Sequence, residues 1–226
     1  MISAPVLALG FFAGMQHALE ADHVAAVSSI AARGTRVADV IKHGLTWGLG
    51  HTMTLFLFAG AAIAAGSAIP DTFAQSLEST VGVMLLGLGG QVLWRLRRDR
   101  ASLELRPHLH AHGRERIAHV SGYHERGFRW RSLAVGLMHG MAGSAALLIV
   151  ALSAVTDSLQ AVAYIALFGI GSILGMGALS SVIAVPLVIS ARKLTWANSR
   201  LQATVGILTI AVGVRTIYTI LVHANV

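Results

Sequence analysis

The sequence predicts an all-α polytopic membrane protein with six transmembrane helices, arranged as two inverted three-helix repeats. Three observations lead to this fold class. Only 12% of the 226 residues are charged, about half the proportion of an average soluble domain. Long uncharged runs with 24 glycines and few aromatic residues are typical of closely packed transmembrane helices. Segments of the first half also recur in the second half at offsets of 122, 121 and 124 residues.

Six apolar segments reach the length of about 20 residues that a helix needs to cross a bilayer. The first is long enough to tilt, kink or unwind, and the fifth is also long and contains Pro186, which predicts a break or bend near its end. In chain order the segments are 3–31, 41–66, 77–96, 131–154, 160–190 and 201–222.

The connections between these segments alternate in charge. Ten of the seventeen basic residues lie between Arg95 and Arg131, and the first and fifth connections are also basic, whereas the second and fourth contain no Lys or Arg. The positive-inside rule therefore places both termini in the periplasm of a multi-pass inner-membrane protein. The basic run indicates orientation and contact with membrane lipids, and no nucleic-acid partner is expected. All four tryptophans are expected at cytoplasmic interfaces.

An internal repeat relates the two halves of the chain. His17, in GMQHALEAD, corresponds to His139, in GLMHGMAGS, and His51 corresponds to Ser172. Because each half has an odd number of spans, the second half inserts upside down relative to the first, which is an architecture of secondary transporters. The predicted division is a first repeat at 1–98, a cytoplasmic basic loop with histidines at 99–130, and a second repeat at 131–226.

The motif GMQHALEADHV carries four ionisable residues at the middle of the first span. A charge at the bilayer centre costs at least about 2.5–3.5 kcal/mol, so these groups need partners, water or an ion. His17 and His23 with a carboxylate suit a divalent transition metal. One straight helix cannot direct all four groups at one ion, so either the helix unwinds or some groups only orient ligands. Asp22 is expected as a ligand or a histidine orienter, and Glu20 as a site residue or a partner of Arg215.

The remaining ligands are expected from other spans. His51, in GLGHTMT, and His139 are the other histidines expected to be buried in spans, and each has a glycine within three residues, which allows close helix approach. The chain contains no cysteine, which excludes thiolate ligands. Histidines 108, 110 and 112 belong either to a solvated basic loop or to a metal-capturing segment. The predicted metal site comprises His17, Glu20, Asp22, His23, His51 and His139.

The segment HALEADH resembles the HX4DH signature of the nickel/cobalt transporter family, and GHT at 50–52 is similar to that family's second motif. Glu20 stands where an aspartate is usual, and HGMAGSAA at 139–146 stands where the family has later acidic motifs. The six spans resemble the shorter branch, which includes urease-accessory-type nickel permeases and nickel/cobalt efflux proteins. The resemblance implies that nickel or cobalt is the transported substrate and that there is no prosthetic group.

Residues and resemblance together predict a secondary transporter, not an enzyme, for a divalent transition-metal ion. Nickel is expected before cobalt, and uptake before efflux. No nucleotide-binding signature is present, so direct ATP coupling within this chain is not expected. A metal-loading assembly factor and a membrane metallo-hydrolase are the alternatives from other functional classes. A cytoplasmic metallochaperone or nickel-enzyme maturation proteins are candidate partners, and the oligomeric state is not indicated.

Overall fold

A computed structural model describes the protein at residues 4–32, 36–65, 70–104, 130–142, 158–193 and 195–223. All the regular secondary structure in these ranges is helical. Seven helices follow one another in the described chain: α1 Ala4–His17, α2 Ala21–Ala31, α3 Val37–Ala65, α4 Asp71–Glu104, α5 130–142, α6 Ser158–Lys193 and α7 Thr195–His223. The histidines at 108, 110 and 112 lie outside the described residues.

The length and composition of the helices identify a membrane protein. In the described chain, three helices are long and apolar enough to cross a bilayer: Thr72–Arg98 in α4, Leu159–Ser190 in α6 and Ala197–Val222 in α7. α3 has 29 residues, which at a rise of 1.5 Å per residue gives about 43 Å, more than the hydrocarbon core of about 30 Å. Large apolar side chains such as Val182 and Leu57 are exposed on the outside of the helices, as lipid contact requires. The protein is therefore a helical membrane protein.

The first predicted span consists of two helices. α1 ends at His17 and α2 begins at Ala21. Between them, the N–H groups of Leu19 and Glu20 donate to the carbonyls three residues earlier, at 2.9 and 3.1 Å, the tighter bonding that often closes a helix end. The backbone of Glu20 is extended, at φ −62° and ψ 150°. The break therefore falls inside the charged motif, whereas α6 continues through Pro186 to Lys193.

α6 lies at the centre of the packing. It runs along both α1 and α3. α4 and α7 pair with each other, and α2 contacts α7, α6 and α4. Gly10 faces Tyr164 and Gly14 faces Phe168, so α1 and α6 run in the same direction. These glycines let the two backbones approach closely.

α3 and α6 run in opposite directions. Gly44 of α3 faces Ser180 of α6, and Thr52, about two turns further along α3, lies against Gly169, nearer the start of α6. Thr52 also donates its hydroxyl to the carbonyl of Gly169 at 3.1 Å. α6 is thus held against two helices that carry predicted site residues, α1 and α3.

Close backbone contacts recur at positions related by the predicted repeat. Gly14 on α1 lies against the carbonyl of Phe168 on α6, and Gly136 on α5 lies against the carbonyl of Trp47 on α3. In one contact the glycine belongs to the first half of the chain and the carbonyl to the second, and in the other contact the reverse holds. A two-fold relation between similar units produces this reciprocal pattern. Two more reciprocal sets follow the same offsets: Gly171 with Phe11 and Gly50 with Leu133, then Gly82 with Gly213 and Gly206 with Gly89.

Candidate metal centre

Two histidines flank the break between α1 and α2. His17 is the last residue of α1 and His23 the third residue of α2. In a continuous helix they would be about 120° apart around the axis and about 9 Å apart along it. With the helix broken, the centroids of the two rings lie only 4.4 Å apart. The break therefore brings both imidazoles to one place.

His51 on α3 and His139 on α5 complete a cluster of four imidazoles. The ring of His51 lies 5.3 Å from that of His17 and 5.1 Å from that of His23, measured between centroids. The ring of His139 lies 4.2 Å from that of His23 and 5.8 Å from that of His51. Gly140 lies against the carbonyl of His51, which lets α5 approach α3 at this level. His23, His51 and His139 are at most 2% exposed.

Two carboxylates hold the rings on either side of the break. Glu20 Oε1 lies 2.8 Å from Nδ1 of His17, and Asp22 Oδ1 lies 3.0 Å from Nδ1 of His23. Asp22 Oδ2 lies 3.1 Å from Nε2 of His139. Because an ionised carboxylate only accepts hydrogen bonds, the bonded nitrogens carry the protons. The opposite ring nitrogens then keep the lone pairs that a metal needs, as in carboxylate–histidine–metal sites.

Five ring nitrogens of the cluster have no hydrogen-bond partner within the described part of the chain. They are Nε2 of His17, Nε2 of His23, both ring nitrogens of His51 and Nδ1 of His139. Leaving a buried polar atom without a partner costs about 1–3 kcal/mol, and several such atoms together call for an explanation such as a bound ion or water. The donor set fits a transition-metal ion because imidazole suits zinc, copper, iron and nickel.

Two groups of side chains are close enough to hold an ion. In each group the ligand atoms lie within 4.8 Å of one another, and the groups are His17 with His23 and His51, and Asp22 with His23 and His139. His23 belongs to both. In the first group every residue has a buried nitrogen without a partner, whereas in the second Asp22 already accepts bonds from both histidines. The all-histidine group is therefore the better ligand set. Asp22 orients the rings of His23 and His139 by accepting a hydrogen bond from each.

The structure assembles all six predicted site residues around the break. Glu20 lies at the edge, with its side chain 57% exposed, and its partner is His17. The partners of Asp22 are His23 and His139, and Arg215 is exposed on α7. No pairing of Arg215 with either carboxylate is found in the part of the chain that the structure describes. The role of the six residues in metal binding stays a prediction.

Trp47 belongs to the surroundings of the site, although the sequence suggested an interfacial position for it. Its side chain is fully buried, and its ring lies 5.5 Å from the rings of both His23 and His139. Trp47 is buried among the helices because it precedes His51 by one helical turn and so shares its inward face. Trp94 and Trp130 are exposed, as residues of an aromatic belt would be.

His43 is a buried histidine that the sequence reasoning also missed. It lies two turns before His51 on the same face of α3, is 8% exposed, and its Nδ1 is 3.2 Å from Oγ of Ser132. The spacing 43, 47, 51 was the signal available in the sequence. His43 belongs to neither group of possible metal ligands.

Comparison with known proteins finds a relative over nearly the whole chain. The chain is 34% identical over 214 residues to the urease accessory protein UreH of Bacillus sp. (strain TB-90), and the match covers 94% of this chain and 90% of the relative. No family model matches the chain, and no solved structure matches it significantly. Identity of this size over nearly the whole of both chains is enough to assign a family.

Proposed function

Since the chain belongs to the nickel/cobalt transporter-like family that includes urease accessory protein UreH, we propose that it is a secondary transporter of a divalent transition-metal ion. Nickel is the first candidate substrate and cobalt the second. The observation that carries the proposal is the buried cluster of four imidazoles, with five ring nitrogens that lack a partner in the described chain. A dehydrated cation exchanging its water for imidazole nitrogens would satisfy one nitrogen each of His17, His23 and His51.

The ligand roles follow from the hydrogen bonds. His17 and His23 present Nε2, and His51 presents either ring nitrogen. Glu20 and Asp22 keep the protons on Nδ1 of His17 and His23 and so set the direction of the lone pairs. The carboxylate charges also compensate a divalent ion in a region with little water. The ion is the transported substrate, and the chain needs no prosthetic group for this role.

Alternating access would come from movement of one half against the other. The reciprocal glycine contacts support two inverted repeats, with 1–98 and 131–226 as the halves and 99–130 as a cytoplasmic loop. The cluster lies between them, because α1, α2 and α3 supply three histidines and α5 supplies His139. Sites of this kind lie near the middle of the membrane at the interface of the repeats. The alternating loop charge supports an inner-membrane location with both termini in the periplasm.

Uptake is the proposed direction. The relative is named as an accessory protein of urease, and a role in supplying an intracellular enzyme requires metal to enter the cytoplasm. Cytoplasmic metallochaperones or nickel-enzyme maturation proteins are then the expected partners. The same name favours a second candidate, an accessory factor that binds metal and passes it on without moving it across the membrane. Efflux is the alternative within the transporter class.

Flux of radiolabelled nickel and cobalt into proteoliposomes tests the proposal. We expect wild-type protein to transport nickel, and His23→Ala to fall to the rate of protein-free liposomes. Ser29→Ala is the matched control, because Ser29 is equally buried but bonds Thr209 Oγ1 at 2.9 Å, outside the cluster. Metal binding without flux in the wild type would favour the accessory factor. Metal sensitivity of cells that lack the protein, with normal uptake, would favour efflux.

A further inference from the structure

Ser172 on α6 carries a buried hydroxyl with no partner in the described part of the chain. It is fully buried, and its Oγ forms no hydrogen bond there. Serines in helices usually satisfy themselves by donating to a carbonyl one turn earlier. Ser181 of the same helix does so, at 2.9 Å from the carbonyl of Gly177. A buried hydroxyl without a partner in the described chain is costly, and a bound ion or water is one explanation for it.

The position of Ser172 around α6 directs it between α1 and α3. Phe168 is on the side of α6 that meets α1, and Gly169 is on the side that meets α3. At about 100° per residue, Ser172 lies about 40° from Phe168 and about 60° from Gly169, between the two. Its hydroxyl therefore belongs to the seam where α1 and α3 converge on α6.

The height of Ser172 along α6 is that of the histidine cluster. Gly169, three residues before it, contacts Thr52, the neighbour of His51. Gly175, three residues after it, contacts Ala18, the neighbour of His17. The ring of Phe168, one turn before Ser172, lies 5.3 Å from the ring of His17. Ser172 is thus bracketed by contacts with the immediate neighbours of two cluster histidines.

The repeat gives Ser172 the same position in the second half that His51 has in the first. His17 corresponds to His139 by the same relation, and both of these are in the cluster. Two-fold-related positions lie on opposite sides of one axis. A polar side chain at the position equivalent to a cluster histidine is therefore expected to face the cluster from the other side.

We propose that Ser172 Oγ is an oxygen ligand of the transported ion, supplied by the second half of the chain. This inference rests on the proposed transport function. A neutral hydroxyl is a weaker ligand for a transition metal than imidazole, so it can complete the coordination sphere and still let the ion leave. The three imidazoles come from the first half, so Ser172 makes retention of the ion depend on the position of the second half.

A thiol placed at this position reports on contact with the metal. Because the natural chain has no cysteine, Ser172→Cys introduces the sole thiol. We expect its cobalt-loaded form to show a sulfur-to-cobalt charge-transfer band, and X-ray absorption of the zinc-loaded form to show a metal–sulfur distance of about 2.3 Å. Ser180→Cys is the control, because Ser180 is also fully buried and unpartnered in the described chain but lies about 12 Å further along α6.

Nickel affinity supplies a second measurement that does not depend on the cysteine variant. We expect Ser172→Ala to bind nickel about tenfold more weakly than wild type, the lower end of what loss of a residue that supports a metal site produces. Ser180→Ala should bind as wild type. Wild-type affinity of Ser172→Ala, or metal binding by Ser172→Cys without a sulfur signal, would overturn the assignment and leave the transport proposal intact. Failure of the wild type to bind any divalent metal would overturn both.

Discussion

Asp22 joins two histidines that come from different halves of the chain. Its Oδ1 lies 3.0 Å from Nδ1 of His23 and its Oδ2 lies 3.1 Å from Nε2 of His139. It also accepts the backbone N–H of His23 at 2.8 Å. One carboxylate therefore fixes two imidazole rings and ties α2 to α5.

Asp22→Asn should weaken nickel binding without abolishing it. The amide keeps the shape of the side chain but loses the charge and one acceptor oxygen, so the proton of one ring is no longer fixed. Changes in residues that orient metal ligands typically cost about 10–100-fold in affinity, which calorimetry of the purified protein would measure. Asp39→Asn, in the first turn of α3, is the control and should bind normally. A loss as complete as that of His23→Ala would show that Asp22 itself binds the ion.

His23→Ala should impair metal binding more than His139→Ala. His23 belongs to both possible ligand groups, whereas His139 belongs only to the group that contains Asp22. We therefore expect one nickel ion per chain in His139→Ala, held by the three remaining imidazoles, and none in His23→Ala at the same concentration. Equilibrium dialysis gives both numbers. Equal loss in the two variants would contradict the assignment of the all-histidine group as the main site.

Gly14→Ala and Gly136→Ala should destabilise the protein by similar amounts. A Cβ at either position collides with a backbone carbonyl, that of Phe168 or that of Trp47, and overpacking costs about 1–3 kcal/mol. Gly87→Ala is the control, since a Cβ there meets nothing within 4 Å and alanine improves helix propensity. Thermal unfolding in detergent would compare them. Unequal effects of Gly14→Ala and Gly136→Ala would argue against the two-fold relation.

The proposed topology predicts which introduced cysteines face the outside. Pro70→Cys, between α3 and α4, should react with a membrane-impermeant maleimide in intact spheroplasts, whereas Arg36→Cys, before α3, should react only after permeabilisation. Both residues are exposed, and the cysteine-free chain gives no background. The reverse pattern would invert the orientation, and labelling of both in intact cells would refute the alternation of the spans.

Much of the site was predictable because ionisable residues stand out in apolar segments. His17, His23, His51 and His139 were each found in this way, and burial at the bilayer centre gives such residues few alternatives to a functional role. The angular spacing of the motif also indicated that the helix unwinds or that some residues only orient ligands. The structure has both features, since the helix breaks and Glu20 bonds the nearby His17.

Other features depend on tertiary contacts that the sequence pattern does not display. Trp47 resembles an interfacial residue until Gly136 brings α5 against its backbone and closes it in beside the cluster. The repeat related Ser172 to His51, but only the structure shows that its hydroxyl is buried and has no partner in the described chain. The angular spacing of the motif left the break as one of two alternatives, and the local sequence, Ala18 to Glu20, has no glycine or proline to mark it.

The break between α1 and α2 has a consequence for how strongly an ion is held. The rings of His17 and His23 lie 4.4 Å apart, but they belong to separate rigid rods joined by three residues, 18–20. Any change in the angle between these rods changes the separation of the two rings, and with it the number of imidazoles that reach one ion. In the proposed transport function, this hinge inside the coordination shell would act together with movement of the two halves to capture and discharge the ion.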